Sequence, residues 1–187
     1  MFKRGFKEEK EQRATIPEED PIIFDMFVEW LYQDRISKFD MTLSTETSGP
    51  FIDRIKLYEY GVKICLPELQ DFAMSNIMSN YAAHRRDPSF QAIILAYKLT
   101  RAGSPLREFM AKTLVQLIES DDTSTYATKT CTDIVMETPD LVRDMIRITG
   151  VYNRNPDLQG VRPWTLPKCE SHAHAAGAEC AYKGEVL

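Results

Sequence analysis

The sequence predicts a mainly α chain, and three observations carry that prediction. Four prolines each follow a side chain able to cap a helix, at Asp20-Pro21, Asp87-Pro88, Ser104-Pro105 and Thr138-Pro139. The cap oxygen accepts an otherwise orphaned backbone N–H, and proline at the first helical position gives up no useful donor. Behind each pair, apolar residues return at helical spacing. Only "QRATI", residues 12–16, reads as a strand, and a single strand makes no sheet.

The elements follow in order. Helices are expected to start at about 21, 88, 105 and 139. In the first, Phe24, Phe27, Val28 and Leu31 fall at i, i+3, i+4 and i+7, one stripe expected to be buried, with Trp30 widening it. A helix over about 51–65 would use Ile52, Ile55, Val62 and Ile64. The stretch "PELQDFAMSNIMSNYA" gives another, with Leu69, Phe72, Ile77 and Tyr81 as core candidates. Leu95, Tyr97 and Leu99 belong to the next, then Phe109, Leu114, Leu117 and Ile118. Threonines between 123 and 136 lower helix propensity, but Leu141, Met145 and Ile148 restore the period. Residues 37–49 read as a polar loop. From Gly150 onward the composition is rich in Pro, Gly and Asn and predicts an irregular tail.

The bulk numbers bound the function. With 187 residues, 43% of them hydrophobic and 27% charged, the chain has the composition of a globular protein. A formal charge of −5 gives no draw toward nucleic acid or anionic lipid. No apolar run approaches the roughly 18 residues of a membrane helix, and "MFKRGF" has no apolar region behind it to make a secretory signal. The expected location is cytoplasmic or nuclear, where the four cysteines stay reduced.

The order short strand, "EEDPIIFDMFVEWLY", polar loop, "IKLYEYGVKICLPELQDFAMSNI" resembles the second half of a BTB/POZ domain, as found in fungal proteins of that family. The resemblance covers about residues 1–82. It implies the C-terminal half of an α/β fold, one short strand plus helices, followed by a helical extension over 83–149 and the tail over 150–187. A full domain of this type has strands and helices before its "RATI" equivalent, so the chain is expected to begin inside the domain. The alternative is an independent all-helical fold that mimics the pattern.

The family resemblance also implies a non-catalytic protein-interaction module. Many members recruit the cullin scaffold of ubiquitin ligases through an apolar residue, any residue, then Glu before the last core strand. Phe6-Lys7-Glu8 matches, so Phe6 and Glu8 are the partner-binding candidates, and a cullin scaffold with an unknown substrate are the implied partners. The plain alternative has Phe6 packed on its own domain and Glu8 as a solvated charge. The family's dimerisation elements precede residue 1, so a homodimer does not carry over. A BTB-type scaffold or transcription-associated role without a ligase is the other reading, and no DNA-binding fingers follow.

A second candidate site comes from the residues alone. Cys169, His172, His174 and Cys180 lie within twelve residues. Thiolate and imidazole are zinc's preferred ligands, and four can close a tetrahedral site. The spacing C-x2-H-x-H-x5-C is not that of a standard finger. A mobile tail, or a Cys169–Cys180 disulfide, are the competing readings, and a small zinc-binding tail protein is the corresponding alternative function. Cys65 and Cys131 read as small buried or half-buried groups, and His84 as a cation near a helix C-terminus. No Gly-rich phosphate loop, G-x-S-x-G elbow or H-E-x-x-H motif is present, and no enzyme is expected.

Overall fold

A computed structural model describes residues 20–36, 49–119, 128–174 and 179–180, with side chains from Thr132 onward in the 128–137 helix. The fold is mainly α: among the described residues there are seven α-helices and no strand. The strand expected at 12–16 lies outside them, as do nearly all of the 37–49 loop and the Cys131 side chain. The chain forms two compact units, residues 1–36 and 37–187.

The described part of the first unit is α1 (Pro21–Gln33). The expected cap forms, with the Ile22 N–H donating to Asp20 Oδ1 at 3.1 Å. The expected buried stripe does not: Ile23 is buried, whereas Phe24 and Leu31 are 37% and 56% exposed. Apolar residues cover most of this helix's circumference, so periodicity selects no face. Phe24, Phe27 and Trp30 instead form a ladder of rings, at 6.2 and 6.3 Å between centroids.

The second unit opens with a helical hairpin of α2 (Pro50–Lys63) and α3 (Pro67–His84). The chain reverses where the Leu66 N–H donates to Gly61 O at 2.9 Å. Ile52 and Ile55 are buried as expected, but the α2 face is completed by Leu57, Tyr58 and Tyr60. Val62 and Ile64 are not part of the core, because the helix ends at Lys63 and Ile64 emerges as its cap. All four core candidates of α3, Leu69, Phe72, Ile77 and Tyr81, are buried. Tyr81 stacks on Phe51 of α2 at 4.2 Å. Helix α3 also buries Asp71, Ser75 and Ser79, so it is enclosed on more than one side.

Next come α4 (Phe90–Leu99), α5 (Pro105–Glu119), α6 (Thr128–Glu137) and α7 (Pro139–Tyr152). Helix α4 starts two residues later than its Asp-Pro pair predicts. Ser89 Oγ takes the cap, accepting from the Ala92 N–H at 3.3 Å, while the Asp87 carboxylate pairs with Arg162 at 3.0 Å. In α4 the core is Ala92, Ile93, Ile94, Ala96 and Tyr97, with Leu95 and Leu99 half-buried. In α5, Phe109, Leu114 and Leu117 are buried as expected and Ile118 is exposed. From Thr128 onward the Thr-rich stretch forms a helix, α6, with Ile134 buried. Thr138 does not cap α7; its hydroxyl turns back to donate to Ile134 O at 2.5 Å. Leu141 and Ile148 of α7 are buried and Met145 is half-buried.

Helix α7 continues through Gly150, and a segment with three single 3-10 turns follows, at Pro156–Leu158, Pro163–Thr165 and Lys168–Ser171. The second and third lie against α3 and α5. Trp164 approaches Tyr81 at 6.3 Å and the Arg162 guanidinium covers the Trp164 ring at 5.5 Å. The α2–α3 hairpin, α4–α7 and this segment therefore share one core.

Arg107 of α5 ties three helices. It is buried, donates to the carbonyl oxygens of Tyr97 (2.6 Å) and Thr100, and lies over the Tyr97 ring at 4.9 Å. The Tyr97 hydroxyl donates to Asp144 of α7 at 2.9 Å. Burial and that carboxylate push the Tyr97 phenol far above its ordinary range.

Candidate metal centre

The C-terminal segment brings the Cys/His cluster to the surface of α3. The third 3-10 turn carries Cys169, and His172 leaves it in an extended conformation with its N–H directed at Cys169 O, 3.4 Å away. His172 and Cys180 are buried, Cys169 and His174 half-buried. The two imidazoles meet edge-on at 5.4 Å. One ligand atom from each of Cys169, His172, His174 and Cys180 can be chosen so that all lie within 4.8 Å of one another. A tetrahedral ion with bonds of about 2.3 Å to sulfur and about 2.1 Å to nitrogen holds its ligands roughly 3.4–3.8 Å apart. The described geometry therefore needs a contraction of about 1 Å at its widest pair to close on an ion. The cluster can hold a metal.

Helix α3 orients this cluster from beneath. His172 Nδ1 sits 3.2 Å from Cys180 Sγ, while its Nε2 sits 2.8 Å from Ser75 Oγ. With a metal on Nδ1, Nε2 would carry the proton and donate to Ser75, the support that metal-bound imidazoles receive. One turn earlier, the buried Asp71 carboxylate accepts the Ala173 N–H and fixes the backbone between the two histidines. Burial holds His172 below its ordinary pKa; the Asp71 charge opposes this, and His174 and Lys168 add to it. A neutral imidazole is the form that binds metal.

The sequence identified all four residues of the cluster but neither support. Asp71 and Ser75, with Ser79, are polar residues four apart on a helix otherwise rich in buried apolar groups. That polar row inside an apolar helix is the signal that points to them.

The remaining candidates fall elsewhere. No disulfide joins Cys169 and Cys180, so the disulfide reading does not describe this structure. Cys65 is exposed, not buried or half-buried, because it follows the end of α2 in a left-handed turn at φ 55°. His84 closes α3 in its last turn, as expected. Phe6 and Glu8 lie outside the described residues. Among the described residues no helix is long and apolar enough to cross a membrane.

The fold and site together define a mainly α chain with a four-ligand Cys/His cluster. No family model, curated protein or solved structure matches the chain.

Proposed function

We propose that this chain is a non-catalytic helical module whose C-terminal segment is folded around a structural zinc ion and braced on α3 by Ser75 and Asp71. The observation that carries this reading is the convergence of Cys169, His172, His174 and Cys180 within 4.8 Å, on a segment braced by Ser75. Two thiolates and two imidazoles form a donor set that suits zinc over the harder cations. Four protein ligands complete a tetrahedron and leave no open position for a substrate, which favours a structural over a catalytic ion. A reducing compartment, cytoplasm or nucleus, keeps the thiols available. The purified full chain is expected to hold one zinc per molecule, lost in the Cys169→Ser/Cys180→Ser variant. Removing the metal with a chelator should speed backbone hydrogen exchange over 153–174 while leaving α2 and α3 protected. Absence of zinc, or exchange indifferent to its removal, rejects this reading.

The interaction role is a second reading, favoured by the α2–α3 hairpin. The turn "LYEYGVKICLPELQD" places Gly61 against Gln70, where a Cβ would sit 3.0 Å from Gln70 Cγ and 3.2 Å from Gln70 N. That close reversal supports the BTB-type resemblance on which a cullin-adaptor role would rest. An apolar Phe6 and an acceptor at Glu8 would then anchor the scaffold. Unchanged cullin pull-down by a Phe6→Ala/Glu8→Ala variant rejects the adaptor role and leaves the zinc centre untouched.

A further inference from the structure

Cys169 and Cys180 can do chemistry beyond ligation. Each offers one ligand atom, its sulfur, so the 4.8 Å limit on the cluster also bounds the distance between the two sulfurs. A disulfide bond is about 2.05 Å long, so the sulfurs need to approach by less than about 3 Å to form one. The two differ in access. Cys169 is half-buried on its 3-10 turn, whereas Cys180 is buried, with His172 Nδ1 3.2 Å from its sulfur. An accessible thiolate with a second sulfur close by is the arrangement of a reversible redox pair. The first is oxidised, and the second captures it before oxidation goes further.

The contacts that brace the segment on α3 do not use the sulfurs. His172 Nε2 reaches Ser75, and the Ala173 N–H donates to Asp71. Both stay available whichever state the sulfurs are in. A disulfide supplies no thiolate, and two imidazoles alone leave a tetrahedral zinc site half made. Zinc and a Cys169–Cys180 disulfide therefore exclude each other.

We propose that the cluster, which rests on the zinc reading above, is a peroxide-sensitive switch in which oxidation of Cys169 and Cys180 to a disulfide releases the ion. A hydroperoxide is the oxidant. The Cys169 thiolate attacks its terminal oxygen, the O–O bond breaks, Cys169 becomes a sulfenic acid, and the alkoxide or hydroxide released takes a proton from solvent. The Cys180 thiolate then attacks the Cys169 sulfur, an S–S bond forms, and hydroxide leaves with a second solvent proton as water. Two electrons pass from the sulfurs to the peroxide, and zinc departs as the divalent ion. In a reducing compartment such a disulfide is transient, and exchange with a thiol restores the zinc form.

The experiment treats the zinc-loaded full chain with a stoichiometric amount of hydrogen peroxide. A chromophoric indicator follows released zinc, and peptide mass mapping locates the disulfide. Zinc release is expected in step with a Cys169–Cys180 disulfide, one ion per bond, and a phosphine reductant with added zinc should reverse both. Cys65→Ser removes an exposed thiol outside the cluster and should leave the release unchanged. Zinc retained through the treatment, zinc lost without a Cys169–Cys180 disulfide, or release abolished by Cys65→Ser overturns the switch and leaves the zinc centre standing. A chain that takes up no zinc rejects the centre itself, and the switch with it.

Discussion

His172 Nε2 lies 2.8 Å from Ser75 Oγ, a contact between residues 97 apart in sequence. It joins the C-terminal segment to the middle of α3 and sets the direction in which Nδ1 faces Cys180. Groups that orient a metal-bound imidazole this way typically contribute about 10–100-fold in affinity. Ser75→Ala is therefore expected to weaken zinc binding by at least about tenfold. Competition with a chromophoric chelator measures this. Ser75→Thr retains the hydroxyl and should lose less. An affinity equal to wild type in Ser75→Ala would mean that packing alone orients His172.

Arg107 makes a second prediction, at the junction of α4, α5 and α7. Truncation to Ala would leave the Tyr97 and Thr100 carbonyls without their donor and strip the cation from the Tyr97 ring. Each buried acceptor so abandoned costs about 1–3 kcal/mol, and lost packing adds to that. Arg107→Ala should lower unfolding stability by about 2–4 kcal/mol. Arg107→Lys should recover less than half, since a single ammonium does not reproduce the planar fork. Asp140, more than half exposed at its side chain, contributes little of this, so Asp140→Asn is expected to be nearly neutral. Urea midpoints of the three variants check the ranking; a neutral Arg107→Ala would show that the carbonyls find other donors.

What the sequence disclosed and what it hid divide along one physical line. Features whose cause is local were legible: the Asp20 cap, the prolines opening α1, α5 and α7, the buried stripe of α3, and four Cys/His residues able to hold a metal within one short stretch. Features decided by distant partners were not. Asp87 looked like a cap until Arg162, 75 residues away, engaged its carboxylate and left Ser89 to cap α4. Asp71 and Ser75 acquire a role only when a segment about a hundred residues downstream returns to α3. The tail has no hydrophobic period because 3-10 turns are too short to show one, yet Trp164 and Val161 pack against the body. Apolar residues around most of α1 left periodicity nothing to discriminate.

Gly61 tests the helical reversal. A Cβ there would meet Gln70 Cγ at 3.0 Å and Gln70 N at 3.2 Å. The glutamine side chain can swing away, but doing so gives up its Nε2 donation to Gly61 O at 3.4 Å, and the Gln70 backbone has no such freedom. Alanine in place of glycine favours a helix by roughly 0.5–1 kcal/mol, which partly offsets an overpacking penalty of about 1–3 kcal/mol. Gly61→Ala should thus be destabilising by about 1 kcal/mol, and Gly61→Val by more. A stabilised Gly61→Ala would show that the two helices separate without penalty. Gly150, which has open space around its Cβ position in α7, is the matched control and should gain stability as alanine.

Glu108 connects the fold to pH. Burial alone would raise its carboxyl, but hydrogen bonds and charge from Lys112 and Arg147 outweigh that and leave it below its ordinary value. A carboxyl whose pKa falls on folding binds fewer protons folded than unfolded. Its contribution is therefore complete above the unfolded value, near 4.3 for glutamate, and disappears as pH falls through the lower folded value. Its side chain is 40% exposed, so solvent screening keeps the effect small, within about 1 kcal/mol. Wild type should exceed Glu108→Gln in urea stability at neutral pH, and the gap should close as pH drops below about 4. Raising salt to about 1 M at neutral pH should narrow the same gap, because the Debye length then contracts to about 3 Å. A gap that persists unchanged through both treatments would assign the role of Glu108 to packing of its methylene groups rather than to its charge.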